Sequence, residues 1–277
     1  MNRFLLINNK DFFDKNNIVY VTRNKDIPDK NSILFIGSHN KSIHLNYSLI
    51  KEYFIFIKKH RKNFKYIIIF GKTDNMINQN IDIPNNVKFI YANNVNYNHP
   101  KIKFYPMGSD FRSIKSFPMA NINNKNRPIL CYCNFSLNTH PSRKELYNLI
   151  KNKKAILFEN MGSFLKYSIS RDDFFKRIGN SKFVICPRGN ALDTFRLYDT
   201  IYGGAIPIVV KENFHNTYFF KDIPILYLNK IEDFQLLNRN FLEKQYILLS
   251  PRLKNYYHQL NFQTWMNKIN YLISNIK

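Results

Sequence analysis

Arg188, Asp193, Arg196 and Asp199 fall within one short stretch of a 277-residue chain. A guanidinium matches the oxygens of a phosphate, and a carboxylate matches a pair of adjacent sugar hydroxyls. Arg196 and Asp199 stand three apart, so on a helix they share one face. Arg188 leads into Gly189-Asn190, turn chemistry in which the glycine is free to take positive φ and to let backbone approach a ligand closely. These residue types together describe a cradle for a nucleotide diphosphate. A surface ion pair between Arg196 and Asp199 accounts for the same spacing, and Asp193 is a helix N-cap under either reading.

Such a cradle needs a strand, a loop, a helix and a second strand to hold it. Residues 183–186 form an apolar run stopped by Pro187, which predicts a buried strand. A helix follows from Thr194 to Tyr202, with Leu197 and Ile201 on one face, and Gly203-Gly204 ends it. Residues 206–210 supply the next buried strand. This is a βαβ unit, so the sheet is parallel and ligands are expected at the carboxyl ends of its strands. The helix N-terminus adds unpaired N–H groups and the positive end of its dipole.

The string from Cys186 to Val209, C-P-R-G-N-A-L-D-T-F-R-L-Y-D-T-I-Y-G-G-A-I-P-I-V, resembles the donor-binding segment of exostosin-like glycosyltransferases. Members of that group commonly show a Pro-x-Gly turn, an Arg, then Glu-Ala and a Gly-x-x-Pro ending before Ile or Val. Asp199 stands where Glu is usual and Thr200 where Ala is usual, so the carboxylate is kept but is one methylene shorter. Residues 131–143, and 92–94 leading to 99–108, resemble the soluble branch of the group found in viruses and microbes. The resemblance covers roughly residues 90–210 and is most specific in the last thirty or so. It implies an α/β protein of GT-B type, with two Rossmann-like domains whose parallel sheets face a central cleft. It also implies transfer of a sugar, with inversion, from a nucleotide-diphosphate donor to a hydroxyl of a glycan or protein acceptor. Arg188 and Arg196 would then stabilise the leaving diphosphate, Asp199 would hold the donor ribose, and Gly189 would admit the phosphate to the backbone. Arg143, in the second stretch, would reach the donor phosphates; as a plain surface residue of its helix it is equally well explained.

The N-terminal half repeats the alternation of strand and helix. Strands are expected at 18–21, 33–36, 66–71 and 87–91, with an amphipathic helix over 47–60 carrying Leu49, Ile50, Tyr53, Phe54 and Ile57. A doubly wound sheet follows. His39 leaves the second strand at its carboxyl end and titrates near neutrality, so it is a candidate base for the acceptor hydroxyl; a histidine bonding its own loop is the other explanation. Asp110 is the rival base. The polar, Asn-rich stretch 117–128 divides an acceptor-side domain, 1–120, from a nucleotide-sugar-binding domain, 121–255. In the latter, strands are expected at 129–133, 155–158 and 225–228, with helices capped by Ser142 and by the Ser170 to Asp173 segment. A last amphipathic helix within 256–277 is expected to cross back to the first domain, as in GT-B proteins.

Composition narrows the remaining classes. The net charge of +23 would suit a nucleic-acid binder, the alternative reading, together with a non-catalytic nucleotide-sugar-binding homologue. The lysines are dispersed, however, and the chain is rich throughout in the residues of AT-rich codons, so codon bias accounts for the charge and nucleic acid is not the expected partner. Three cysteines and no zinc-type spacing point to a reducing, cytoplasmic compartment, the host's if the chain is viral. No apolar run reaches the ~18 residues of a membrane span and the start lacks a signal-peptide core, so a soluble protein is expected. Asp-x-Asp, which holds a divalent metal on the diphosphate in GT-A enzymes, does not occur in the chain, and no metal or other cofactor is expected.

Overall fold

A computed structural model of the chain describes residues 18–36, 47–70, 81–95, 98–104, 106–108, 126–159, 169–212, 215, 220–221 and 223–255. His39, Asp110 and the expected last helix lie outside the described residues. The described chain separates into two compact units.

The first unit holds 18–107 together with Ala191–Asp193. Its strands β1 (Ile18–Val21), β2 (Ser32–Ile36), β3 (Tyr66–Phe70), β4 (Val87–Ala92) and β5 (Ile102–Phe104) form a parallel sheet in sequential order. β2 and β3 are buried along their whole length, as expected of uninterrupted Ile, Leu and Phe runs in the middle of a parallel sheet. Helix α1 (Tyr47–His60) crosses between β2 and β3, and its Tyr53, Phe54 and Ile57 pack with Leu34, Ile36, Ile68 and Phe70 of the sheet. Lys58, Lys59 and His60 close its last turn, where the helix dipole favours cations.

The second unit holds Gly108–Asn190 and resumes at Thr194. It contains β6 (Ile129–Cys133), α2 (Pro141–Ile150), β7 (Ile156–Phe158), α3 (Arg171–Gly179) and β8 (Ser181–Ile185). There follow α4 (Phe195–Tyr202), β9 (Ile206–Val210), β10 (Leu226–Leu228) and α5 (Arg239–Leu249). All its strands are parallel, in the order β10-β9-β8-β6-β7. From β6 the chain therefore winds one way to β7, then returns to β8 and winds the other way. The loops after β6 and β8 part company at that point, which is where open α/β sheets place their ligands.

Two buried packing devices fix this unit. Arg127, just ahead of β6, donates from Nη1 to the carbonyls of Gly179 at 2.9 Å and Ser181 at 3.1 Å, and more weakly to Gly203 at 3.4 Å. Its charge thus sits against the carboxyl ends of α3 and α4, the negative poles of both helices. Gly203 allows the same convergence, since a Cβ there would lie 2.2 Å from Ile178 Cγ2. The left-handed turn that ends α4 falls on the next residue, Gly204, with φ of 71°. The helix over 239–249, the short strand β5 and the structural use of Arg127 were not read from the sequence.

Candidate functional site

The loop after β8 starts under α4. Cys186 N donates to Ile208 O of β9 at 2.9 Å, and Cys186 Sγ lies 3.2 Å from Thr200 Oγ1 of α4. All three cysteines are buried free thiols; burial pushes the Cys186 thiol up to about 12, so it stays protonated and serves as packing. Pro187, Arg188 and Gly189 then run along the carboxyl edge of the sheet.

Arg143 ties this loop to the one after β6. It projects from α2 and is 8% exposed. Its Nε donates to Arg188 O at 2.7 Å, Nη2 to Pro187 O at 3.3 Å, and Nη1 to Ser136 O at 3.1 Å. The guanidinium lies 5.6 Å from the centroid of Phe135. A buried cation thereby spans the switch point, held against the desolvation and the neighbouring Arg196 that both disfavour its charge. Arg143 is a buried loop clamp and not a surface residue of its helix.

Gly189 does not use its freedom to take positive φ. Its φ lies outside the left-handed region, and its lack of a side chain matters because a Cβ would come within 3.3 Å of Arg143 Nη2. The N-cap of α2 is His140, not Ser142: Pro141 occupies the first helical position, where its missing N–H goes unneeded, and Ser142 N donates to His140 Nδ1 at 3.3 Å. Burial, then the charges of Arg188 and Arg143, hold the His140 imidazole below its ordinary pKa, so it is neutral at pH 7. Ser170 caps α3, accepting from Asp173 N at 3.1 Å, so the helix begins at Arg171, inside the segment expected to cap a helix over 174–178.

Asp193 is not the cap of α4. The N-cap is Thr194, which makes no side-chain cap hydrogen bond. Asp193 belongs to the first unit, where its Oδ2 accepts from Met107 N at 2.7 Å, and Leu192 N donates to Asn94 Oδ1 at 3.0 Å.

Arg188 and Arg196 contrast with Arg127 and Arg143. Arg188 makes a single weak bond, Nε to the carbonyl of Gly189 at 3.4 Å, and its Nη atoms donate to no described residue. Arg196 lies 5.0 Å from the centroid of Phe174 on α3, a cation–π stack that orients the guanidinium while leaving its donors open. Its Nη1 is buried without a hydrogen-bond partner. Asp199, one turn further along α4, is 5% exposed. Behind Phe174, Tyr132 donates to Glu159 Oε2 at 2.8 Å, and Arg177 donates from Nε to Glu159 Oε1 at 2.7 Å. The structure thus brings Arg143, Arg188, Gly189, Arg196 and Asp199 to one unit.

Two further polar residues join the site at this edge. His140 falls within residues 131–143, where nothing in the local sequence singles it out. Glu212 follows β9 at its carboxyl end, and the rule that such ends gather ligands is the signal that would have found it. Among the described residues no group of three or more His, Cys, Asp or Glu side chains is placed to hold a metal ion. No helix among them is long and apolar enough to cross a membrane.

Residues 111–241, the span that contains β6 to β10 and both loops of the switch, match the family described as the RXYLT1 C-terminal domain. No curated protein matches the chain significantly. Among solved structures the chain is similar to an apo structure of OtsA, with a TM-score of 0.53 and 10% identity over 91% of this chain and 74% of that one. It is also similar to a crystal structure of an α1,3-fucosyltransferase, with a TM-score of 0.49 and 11% identity over 91% and 80% of the two chains. The fold is GT-B-like, with two Rossmann-like units built on parallel sheets.

Proposed function

We propose that the chain is a glycosyltransferase of exostosin-like type, in the soluble branch of that group, which moves a sugar from a nucleotide-diphosphate donor to a hydroxyl of a glycan or protein acceptor. One observation carries this reading. At the switch point of the second sheet, Arg188 and Arg196 keep guanidinium donors uncommitted, while Arg143 directs its Nε, Nη1 and Nη2 to carbonyls. Burying an open guanidinium donor is unfavourable unless a ligand meets it, and a diphosphate matches two such groups. Similarity of residues 111–241 to the RXYLT1 C-terminal domain supports the same reading.

In the proposed reaction the acceptor hydroxyl attacks the anomeric carbon and the bond from that carbon to the diphosphate oxygen breaks. Arg188 and Arg196 take up the negative charge that develops on the departing diphosphate. Asp199 accepts from the donor ribose hydroxyls, and Arg143 holds the Pro187–Arg188 backbone in place. His39 or Asp110 takes the acceptor proton, and the sugar inverts. Two arginines supply the positive charge that a divalent ion supplies elsewhere, so the reaction is proposed to proceed without a metal.

The test is a binding panel of UDP, GDP, CDP, dTDP and their sugars on the wild type and Arg196→Ala, by thermal shift and calorimetry. One nucleotide is expected to stabilise the wild type selectively. Loss of one charge-assisted contact, about 2 kcal/mol, weakens binding about thirtyfold in the variant. If no nucleotide binds while RNA or DNA does, the reading fails.

A further inference from the structure

The site carries a carboxylate to which the proposed reaction gives no part. Glu212 lies two residues beyond the end of β9, and in the pairing of β8 with β9 Ile185 stands opposite Ile208. Arg188 and Glu212 therefore leave the same edge of the sheet on neighbouring strands. The backbone at Glu212 is pinned at two points: its N–H donates to His215 Nδ1 at 2.9 Å, and its carbonyl accepts from His215 N at 3.0 Å. The His215 ring is buried, with the rings of Phe220 and Tyr227 at centroid distances of 5.2 and 5.1 Å. The Glu212 side chain is half-buried, accepts no hydrogen bond from any described residue, and lies in the field of Arg188. Burial raises its pKa and Arg188 opposes the rise.

A half-buried carboxylate beside phosphate-binding arginines repels a bare phosphate. Its placement makes chemical sense if the ligand brings hydroxyls along with its phosphates, because an ionised carboxylate accepts hydrogen bonds and donates none. The sugar of a sugar diphosphate is joined directly to phosphate, so its hydroxyls fall within reach of a group next to the phosphate-binding arginine. We infer that Glu212 is a specificity residue that accepts hydrogen bonds from hydroxyls of a sugar esterified to the diphosphate, discriminating sugar-bearing ligands from inorganic phosphates. The inference rests on the nucleotide-sugar reading above.

Two sugars fit that chemistry, the nucleoside ribose and the sugar to be transferred, and the experiment separates them. Wild type and Glu212→Gln are titrated calorimetrically with pyrophosphate, with the nucleoside diphosphate chosen by the panel, and with its nucleotide sugar. In the variant, pyrophosphate is expected to bind as tightly as in the wild type or more tightly, which also reports that the site is folded. The nucleotide sugar is expected to weaken about tenfold or more. A matching loss for the nucleoside diphosphate assigns the contact to the ribose; a loss confined to the nucleotide sugar assigns it to the transferred sugar. An equal change for all three ligands, or no change for any, overturns the role of Glu212 while leaving the nucleotide-sugar reading intact. Failure of every nucleotide to bind the wild type overturns that reading and this inference with it.

Discussion

Replacing Arg143 tests whether one buried cation holds the two loops of the switch point together. Its three bonds, at 2.7, 3.1 and 3.3 Å, end on the carbonyls of Arg188, Ser136 and Pro187. Arg143→Met fills a similar volume but leaves all three carbonyls without that donor. Hydrogen bonds to a charged group contribute roughly 1.5–3 kcal/mol each, and the longest of these is the weakest. The methionine also removes the desolvation cost of a buried guanidinium, which offsets part of the loss. The expected destabilisation is about 4 kcal/mol. Arg143→Lys keeps the charge and reaches one carbonyl, so about 2 kcal/mol is expected. Urea unfolding followed by far-UV circular dichroism measures both, and pyrophosphate titration of the folded variants measures the site. Because Arg188 is carried on the clamped backbone, Arg143→Lys should also bind pyrophosphate more weakly than the wild type. Methionine within 1 kcal/mol of wild type, or lysine no better than methionine, would refute the clamp.

Acid should expose the buried imidazole of His215. Burial holds its pKa down at about 4, against 6.5 for an ordinary histidine. The unfolded chain therefore takes a proton at a pH where the fold refuses it. The stability this represents is complete above pH 6.5 and is lost as the pH falls toward 4, by on the order of 3 kcal/mol. His215→Asn offers an acceptor without the titration, so its unfolding free energy should fall less steeply over that window. Parallel slopes for the two proteins would show that His215 does not titrate differently in the fold. Gly203→Ala places a Cβ against Ile178 Cγ2, and overpacking there should destabilise by about 1–3 kcal/mol. The double variant with Ile178→Ala should lose less than the two single changes together; simple additivity in a thermal melt would argue against the clash.

The sequence determined a good deal by itself. Uninterrupted β-branched and aromatic runs such as Tyr66–Phe70 bury both faces of a strand, so they announced central strands of parallel sheets. The Ser170 to Asp173 segment was legible as a helix start because a hydroxyl three residues ahead of an acceptor-hungry N–H is a local matter. The run from Phe183 to Val210 showed its strand, loop, helix and strand for the same reason. Asp193 shows where local reasoning stops: Thr194 lies closer to the helix, and the carboxylate went to Met107 N, 86 residues away in the chain. His140 took the cap expected of Ser142 because Pro141 favours the first helical position.

Only the tertiary structure decided which arginines are scaffold and which are open to a ligand. Arg127, Arg143, Arg188 and Arg196 are the same residue type, and spacing alone cannot say that two of them meet clusters of carbonyls and two do not. Strand order is equally silent in the sequence. The return from β7 to the far side of β6 makes β6 and β8 neighbours, and so creates the switch point that Arg143 spans. Glu212 stands beside Arg188 because β9 pairs with β8, a consequence of sheet register that brings together residues more than twenty positions apart. Local sequence fixes which backbone segments form, through propensity and burial period. Which side chains converge is set by long-range pairing, whose free energy belongs to the whole sheet and to no single stretch of it.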